Sequence, residues 1–80
     1  MVEIRYFAAI ADAVGKASER FDLPADATVA DLRRVLAGAY GPDLGPMLKV
    51  CAFLVDDELT RDDATVLTSR VDVLPPFAGG

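Results

Sequence analysis

The 80-residue chain has no histidine and no tryptophan, one cysteine, and eight Lys and Arg residues against thirteen Asp and Glu. Without histidine, the commonest general base and the commonest metal ligand are both missing. The lone Cys51 excludes an internal disulfide and a cysteine-rich metal site. Set in an apolar run, it reads as a small buried residue rather than a reactive thiol. A net charge of −5 argues against nucleic acid or an anionic membrane as partner, and favours a basic protein surface. No apolar run approaches the ~18 residues of a membrane span and no signal peptide opens the chain, so the sequence predicts a soluble, cytoplasmic protein. Paired catalytic carboxylates, a nucleophile–base arrangement and a phosphate-cradling glycine loop are also missing. The acidic group Asp56, Asp57, Glu58, Asp62 and Asp63 lacks the spacing and the turn glycine of a calcium loop. It reads as two solvated turns, and no metal site is expected.

What is present is a set of short alternating runs and one amphipathic stretch. Residues 1–8 alternate, with Val2, Ile4 and Tyr6 on a core face and Glu3, Arg5 and Phe7 on the other, which argues a half-buried strand. Residues 9–15 form a connector with a helical turn, ended by Gly15. Residues 17–23 alternate again, with Phe21 and Leu23 inward, in a strand expected to run antiparallel to the first. Thr28 is a good N-cap and Asp31 follows three residues later, close to a capping box. Val29, Leu32, Val35 and Leu36 recur at helical spacing, with Ala39 closing the stripe, so a helix is expected over 28–40, stopped by Gly41-Pro42.

Residues 41–48 read as an irregular loop with a short helical turn around Leu44. The nearly continuous apolar run from Lys49 to Val55 predicts a strand buried on both faces or lying near the sheet centre. Asp56-Asp57 turns the chain, Glu58–Thr60 is a brief edge strand, and Val71–Leu74 is the last strand, with Val71 and Val73 inward and Asp72 and Leu74 outward. The order of two strands, a helix, then two or three strands predicts an α+β domain over residues 1–74: a mixed sheet of four to five strands with one main helix on one face.

Residues 75–80, Pro-Pro-Phe-Ala-Gly-Gly, read as a flexible tail. Each proline fixes φ near −65° and removes a backbone donor, so the sheet should end at Leu74 and the chain should leave it extended. Gly79 and Gly80 lack a Cβ and can pass a narrow opening. Six residues reach roughly 20 Å, enough to carry a terminal carboxylate into a partner's active site. An inert chain end stays open as the alternative.

The segment Val-Asp-Val-Leu-Pro-Pro-Phe-Ala-Gly-Gly (71–80) resembles the carboxy end of the MoaD/ThiS-type ubiquitin-like sulfur carriers, above all the small subunit of molybdopterin synthase. Val2–Ala8 is similar to that family's first strand, Ala9–Gly15 to its Ala-rich turn, and Thr28–Leu32 to its helix start. The family usually has Asp-Gly-Asp before the last strand, where this chain has Thr68-Ser69-Arg70. The resemblance covers the whole chain and implies a β-grasp fold. It further implies a carrier subunit with no catalytic machinery and no bound cofactor of its own. A ubiquitin-activating-type enzyme would use ATP and magnesium to adenylate the Gly80 carboxylate, and a persulfide would convert it to a thiocarboxylate. The tail residues Pro75, Pro76, Phe77, Ala78 and Gly79 would enter the active site of the synthase large subunit, within a heterotetramer. Because a β-grasp sheet sets the first and last strands side by side, Phe7 and Leu74 would form a docking patch at the root of the tail, with Phe77 beyond. Carriers for thiamin or cysteine biosynthesis, a ubiquitin-like modifier joined through Gly80, and a plain interaction domain stay open beside this reading.

Overall fold

Alternation in the first strand sets the core. In the computed structural model, which describes residues 1–76, β1 (Val2–Tyr6) buries Val2, Ile4 and Tyr6 and leaves Glu3 and Arg5 on the opposite face. The elements that follow are α1 (Ala8–Val14), β2 (Ser18–Phe21), α2 (Val29–Tyr40), α3 (Gly45–Val50), β3 (Ala52–Val55), β4 (Glu58–Thr60) and β5 (Arg70–Leu74). They build one five-stranded sheet in the order β2-β1-β5-β3-β4. β1 and β5, the first and last strands, pair in parallel, and every other pairing is antiparallel. Ile4, Tyr6, Val71, Val73, Phe53 and Val55 point from the sheet into one core with Val29, Leu32 and Leu36 of α2, Ile10 and Val14 of α1, and Leu48 of α3. Each such side chain contributes about 1.5–3 kcal/mol when taken out of water. This is the β-grasp arrangement, an α+β domain with its helices on one face of a mixed sheet.

The start of α2 follows the sequence reading. Asp31 N–H donates to Thr28 Oγ1 at 3.4 Å, and Thr28 N–H donates to Asp31 Oδ2 at 2.9 Å, closing a capping box. The Thr28 backbone bond, with Arg34 beside it, holds the Asp31 carboxyl below its ordinary range. At the other end Gly41 takes φ 86°, a left-handed value suited to glycine, and its N–H reaches Ala37 O at 2.9 Å.

Several local expectations need correction. The 9–15 connector is a two-turn helix, α1, because Ile10 and Val14 lie one turn apart and both enter the core. The turn near Leu44 continues as α3, with Pro46 in its first turn, where a missing N–H costs nothing. That helix takes up Lys49 and Val50, so β3 begins at Ala52 and Val50 is 51% exposed rather than buried in a strand. Ala39 is exposed; the longer Tyr40 and Ala37 pack against the core at the end of the α2 stripe. Asp72 does face away from the helices, but it is buried.

Candidate functional site

The face of the sheet that carries no helix is assembled by register. Arg5 pairs with Asp72, Leu54 with Asp72, Ala52 with Leu74, and Leu59 with Leu54. Their strand neighbours Ile4, Tyr6, Val71, Val73, Phe53 and Val55 fill the core, so these residues point to the other side. Tyr6 pairs with Val73, and Phe7 keeps an extended backbone (φ −131°, ψ 148°), which brings it level with Leu74 one step further on. Phe7 is 39% exposed and Leu74 half-buried. Both predicted docking residues therefore lie at the end of the sheet where the tail begins. Leu54 and Leu59, which sequence reasoning did not assign to this face, extend its apolar strip toward the sheet edge. The signal was available in the alternation but not usable, because the pairing register of β3 with β4 and β5 is not written in either strand.

The root of the tail is partly inside the domain. Pro75 is buried, and Pro76 is exposed. Phe77, Ala78, Gly79 and Gly80 lie outside the described residues.

A fixed ion pair borders the strip. Arg5 Nε donates to Asp72 Oδ1 at 2.7 Å and Arg5 Nη2 donates to Asp72 Oδ2 at 2.8 Å, a two-pronged contact between neighbouring strands. The hydrogen bonds from Arg5 hold the Asp72 carboxyl below its ordinary value, against the opposing effect of burial. The same contact raises the Arg5 guanidinium. The Arg5 guanidinium carbon also lies 5.6 Å from the centre of the Phe7 ring, a cation–π arrangement. Beyond the pair, toward the opposite end of the sheet from the tail, Glu3, Arg20, Asp56, Asp57 and Arg70 line a shallow charged depression.

The other polar groups serve the fold. Glu19 accepts hydrogen bonds from the hydroxyls of Tyr6 (2.5 Å) and Tyr40, with Lys16 Nζ 3.5 Å away. Burial pushes the Glu19 carboxyl up, but the bonds from Tyr40 and Tyr6 and the Lys16 charge outweigh it and hold it below its ordinary value. Cys51 is fully buried, donates to Met47 O at 3.2 Å, and has its thiol pushed up by burial despite nearby Arg33. This is the inert buried setting the sequence suggested. In the acidic turns, Asp62 Oδ1 accepts from Ala64 N–H at 3.0 Å and Asp63 pairs with Arg33 at 2.8 Å. Among the described residues no group of carboxylates and thiols is placed to hold a metal ion. No helix among them is long and apolar enough to cross a membrane. The arrangement can present an apolar surface to another protein.

Known proteins share this architecture along its whole length. The chain is 30% identical over 82 residues to the molybdopterin synthase sulfur carrier subunit of Caenorhabditis briggsae, covering 99% of this chain and 96% of that protein. The small archaeal modifier protein 1 of Haloferax volcanii superposes with a TM-score of 0.73 at 26% identity, over 95% of this chain and 97% of that one. A chain from the complex of subunits 1 and 2 of the molybdopterin-converting factor of Helicobacter pylori superposes with a TM-score of 0.66 at 26% identity, over 99% and 97%. The ThiS family model matches residues 4–80, and the chain belongs to that family.

Proposed function

We propose that this chain is a sulfur carrier that works as the small subunit of a molybdopterin synthase. The observation that carries the reading is the full-length 30% identity to a molybdopterin synthase sulfur carrier subunit. The geometry supports it: an apolar strip on the helix-free face runs to Phe7 and Leu74, and the chain beyond Pro76 starts from that end. The similar Helicobacter pylori chain is found in a complex of subunits 1 and 2 of the converting factor, which supports a large subunit as the partner that takes the tail.

The chemistry falls on Gly80. A carboxylate is a poor acyl donor, so a ubiquitin-activating-type enzyme with ATP and magnesium would join it to AMP and release pyrophosphate. The terminal sulfur of a persulfide would then attack the acyl carbon and expel AMP, forming an acyl disulfide. A second thiol would reduce that S–S bond, leaving the Gly80 thiocarboxylate and a disulfide on the donor side. In the large subunit the sulfur would pass to the molybdopterin precursor, and water would restore the Gly80 carboxylate. Gly79, Ala78, Phe77, Pro76 and Pro75 would thread the partner's channel, and Phe7 and Leu74 would dock on its surface. The nucleotide and acid–base groups belong to the partners in this scheme.

Intact mass of the protein isolated from its native cell is the test. A fraction heavier by the difference between one sulfur and one oxygen, located on Gly80 by fragmentation, is the expected result. Deleting Gly80 should abolish sulfur acceptance and leave thermal unfolding unchanged, whereas Gly79→Ala should slow activation. A deletion protein that still accepts sulfur would refute the reading. The likeness to the small archaeal modifier protein 1 of Haloferax volcanii favours one second reading, attachment through Gly80 to lysines of other proteins. Gly80–lysine isopeptide fragments in the same mass experiment would establish it.

A further inference from the structure

The most exposed aromatic ring among the described residues, Phe7, stands at a corner held firmly by the backbone around it. Its own backbone is extended, and the next residue, Ala8, turns the chain with φ 52°, a left-handed value that non-glycine residues seldom adopt. The Phe7 carbonyl is tied into α1 by the N–H groups of Ile10 (3.2 Å) and Ala11 (3.4 Å), and Tyr6 N–H is tied to Ala17 O at 2.8 Å. The backbone at Phe7 is therefore fixed on both sides. An extended backbone narrows the ring to the two χ1 rotamers common in strands but does not choose between them.

The Arg5–Asp72 pair answers that. The guanidinium is clamped in its plane by two bonds to one carboxylate, and Asp72 is itself held in the centre of the sheet between β1 and β3. That fixed cation lies 5.6 Å from the Phe7 ring centre. Asp72 is buried while the Arg5 side chain stays 40% exposed, so the cost of desolvating the carboxylate offsets part of the pair's attraction. The pair lies on the face that bears the docking residues, beside the Phe7 ring.

We propose that Arg5, clamped by Asp72, is a positioning residue that holds the Phe7 ring in one orientation, ready to enter an apolar socket on the large subunit. This rests on the docking role given to Phe7 above. A ring already ordered in the free carrier avoids the entropy loss of ordering on binding, and the effect should appear in affinity.

The test compares the full chain with Arg5→Gln/Asp72→Asn, which removes both charges together, each alone and in a Phe7→Ala background. Three-bond coupling constants report the Phe7 χ1 rotamer in the free protein. A single rotamer is expected in the native chain and an averaged one in the double variant. Affinity for the large subunit should fall about two- to tenfold, the worth of ordering one side chain. In the Phe7→Ala background the same double change should cost nothing further. A single Phe7 rotamer in the double variant would overturn the inference, as would an equal affinity loss without the ring. If the double variant does not fold, Arg5→Lys keeps the charge and loses the fork. Partial averaging is then expected, and an unchanged rotamer overturns the inference. A native chain that does not bind the large subunit would refute the synthase-subunit reading instead, while the coupling constants still decide whether Arg5 holds the ring.

Discussion

Arg33 is the residue whose removal tests the packing argument most sharply. It leaves α2 toward α3 and donates to the carbonyl oxygens of Leu48 and of Cys51 (3.4 Å), at the end of a helix whose last carbonyls need partners. Its guanidinium carbon also sits 4.6 Å from the ring centre of the fully buried Phe53, and its Nε pairs with Asp63 Oδ1 at 2.8 Å. A hydrogen bond from a charged group is worth about 1.5–3 kcal/mol, and a partly desolvated cation–π contact about 1–2 kcal/mol. The Asp63 side chain is 61% exposed, so that ion pair adds at most about 0.5–1 kcal/mol. These contributions share one side chain and do not add in full; Arg33→Ala should cost about 2–4 kcal/mol. For 80 residues at roughly 0.05–0.15 kcal/mol each, that is a large share of total stability. Urea unfolding should show a lower midpoint with an unchanged slope. Asp63→Ala should lose under about 1 kcal/mol, and its loss should shrink in salt. An Arg33→Ala loss below about 0.5 kcal/mol, or an equal loss from Asp63→Ala, would refute the assignment of Arg33 as the tie between α2 and the end of α3.

Leu32→Ala and Leu36→Ala each empty a fully buried site and should each cost about 2–5 kcal/mol by chemical denaturation; losses below about 0.5 kcal/mol at both would place the stripe elsewhere. Thr28→Ala breaks the capping box and should cost about 1 kcal/mol in the same assay, with Thr28→Ser restoring most of it. Asp72, Asp31 and Glu19 all have carboxyls held below their ordinary values, Asp72 chiefly by its hydrogen bonds from Arg5. A depressed folded value means stability that is present above the unfolded value, 3.8 for an aspartate, and lost as pH falls through the folded one. Denaturation midpoints should therefore hold steady from neutral pH to about pH 5 and fall below about pH 4. Asp72→Asn should flatten that acid limb, and a limb of unchanged steepness would count against the pair.

The sequence by itself determined the parts of this protein whose causes are local. The alternation of Val2, Ile4 and Tyr6, the Thr28–Asp31 cap, the stripe through Leu32 and Leu36, and the Gly41 stop each act within a few residues, and each is found where the sequence puts it. The tail motif also belongs to the sequence, and Phe77–Gly80 lie outside the described residues. Its misreadings fell where a short apolar run suits helix and strand alike. Lys49 and Val50 look like strand by composition, yet Pro46 starts a helix, and Arg33, 15 residues before Leu48 in the chain, ties down its end. What only the tertiary structure decided are the contacts fixed by register between distant strands. Asp72 looks solvated in its own strand, and it is the parallel pairing of β5 with β1 that sets Arg5 beside it and engages both its oxygens in one fork. The same pairing brings Phe7 level with Leu74 at the root of the tail. Side-chain alternation names the face a residue occupies, but the neighbour it meets there depends on how the strands slide past one another, and that is settled only when the whole core packs.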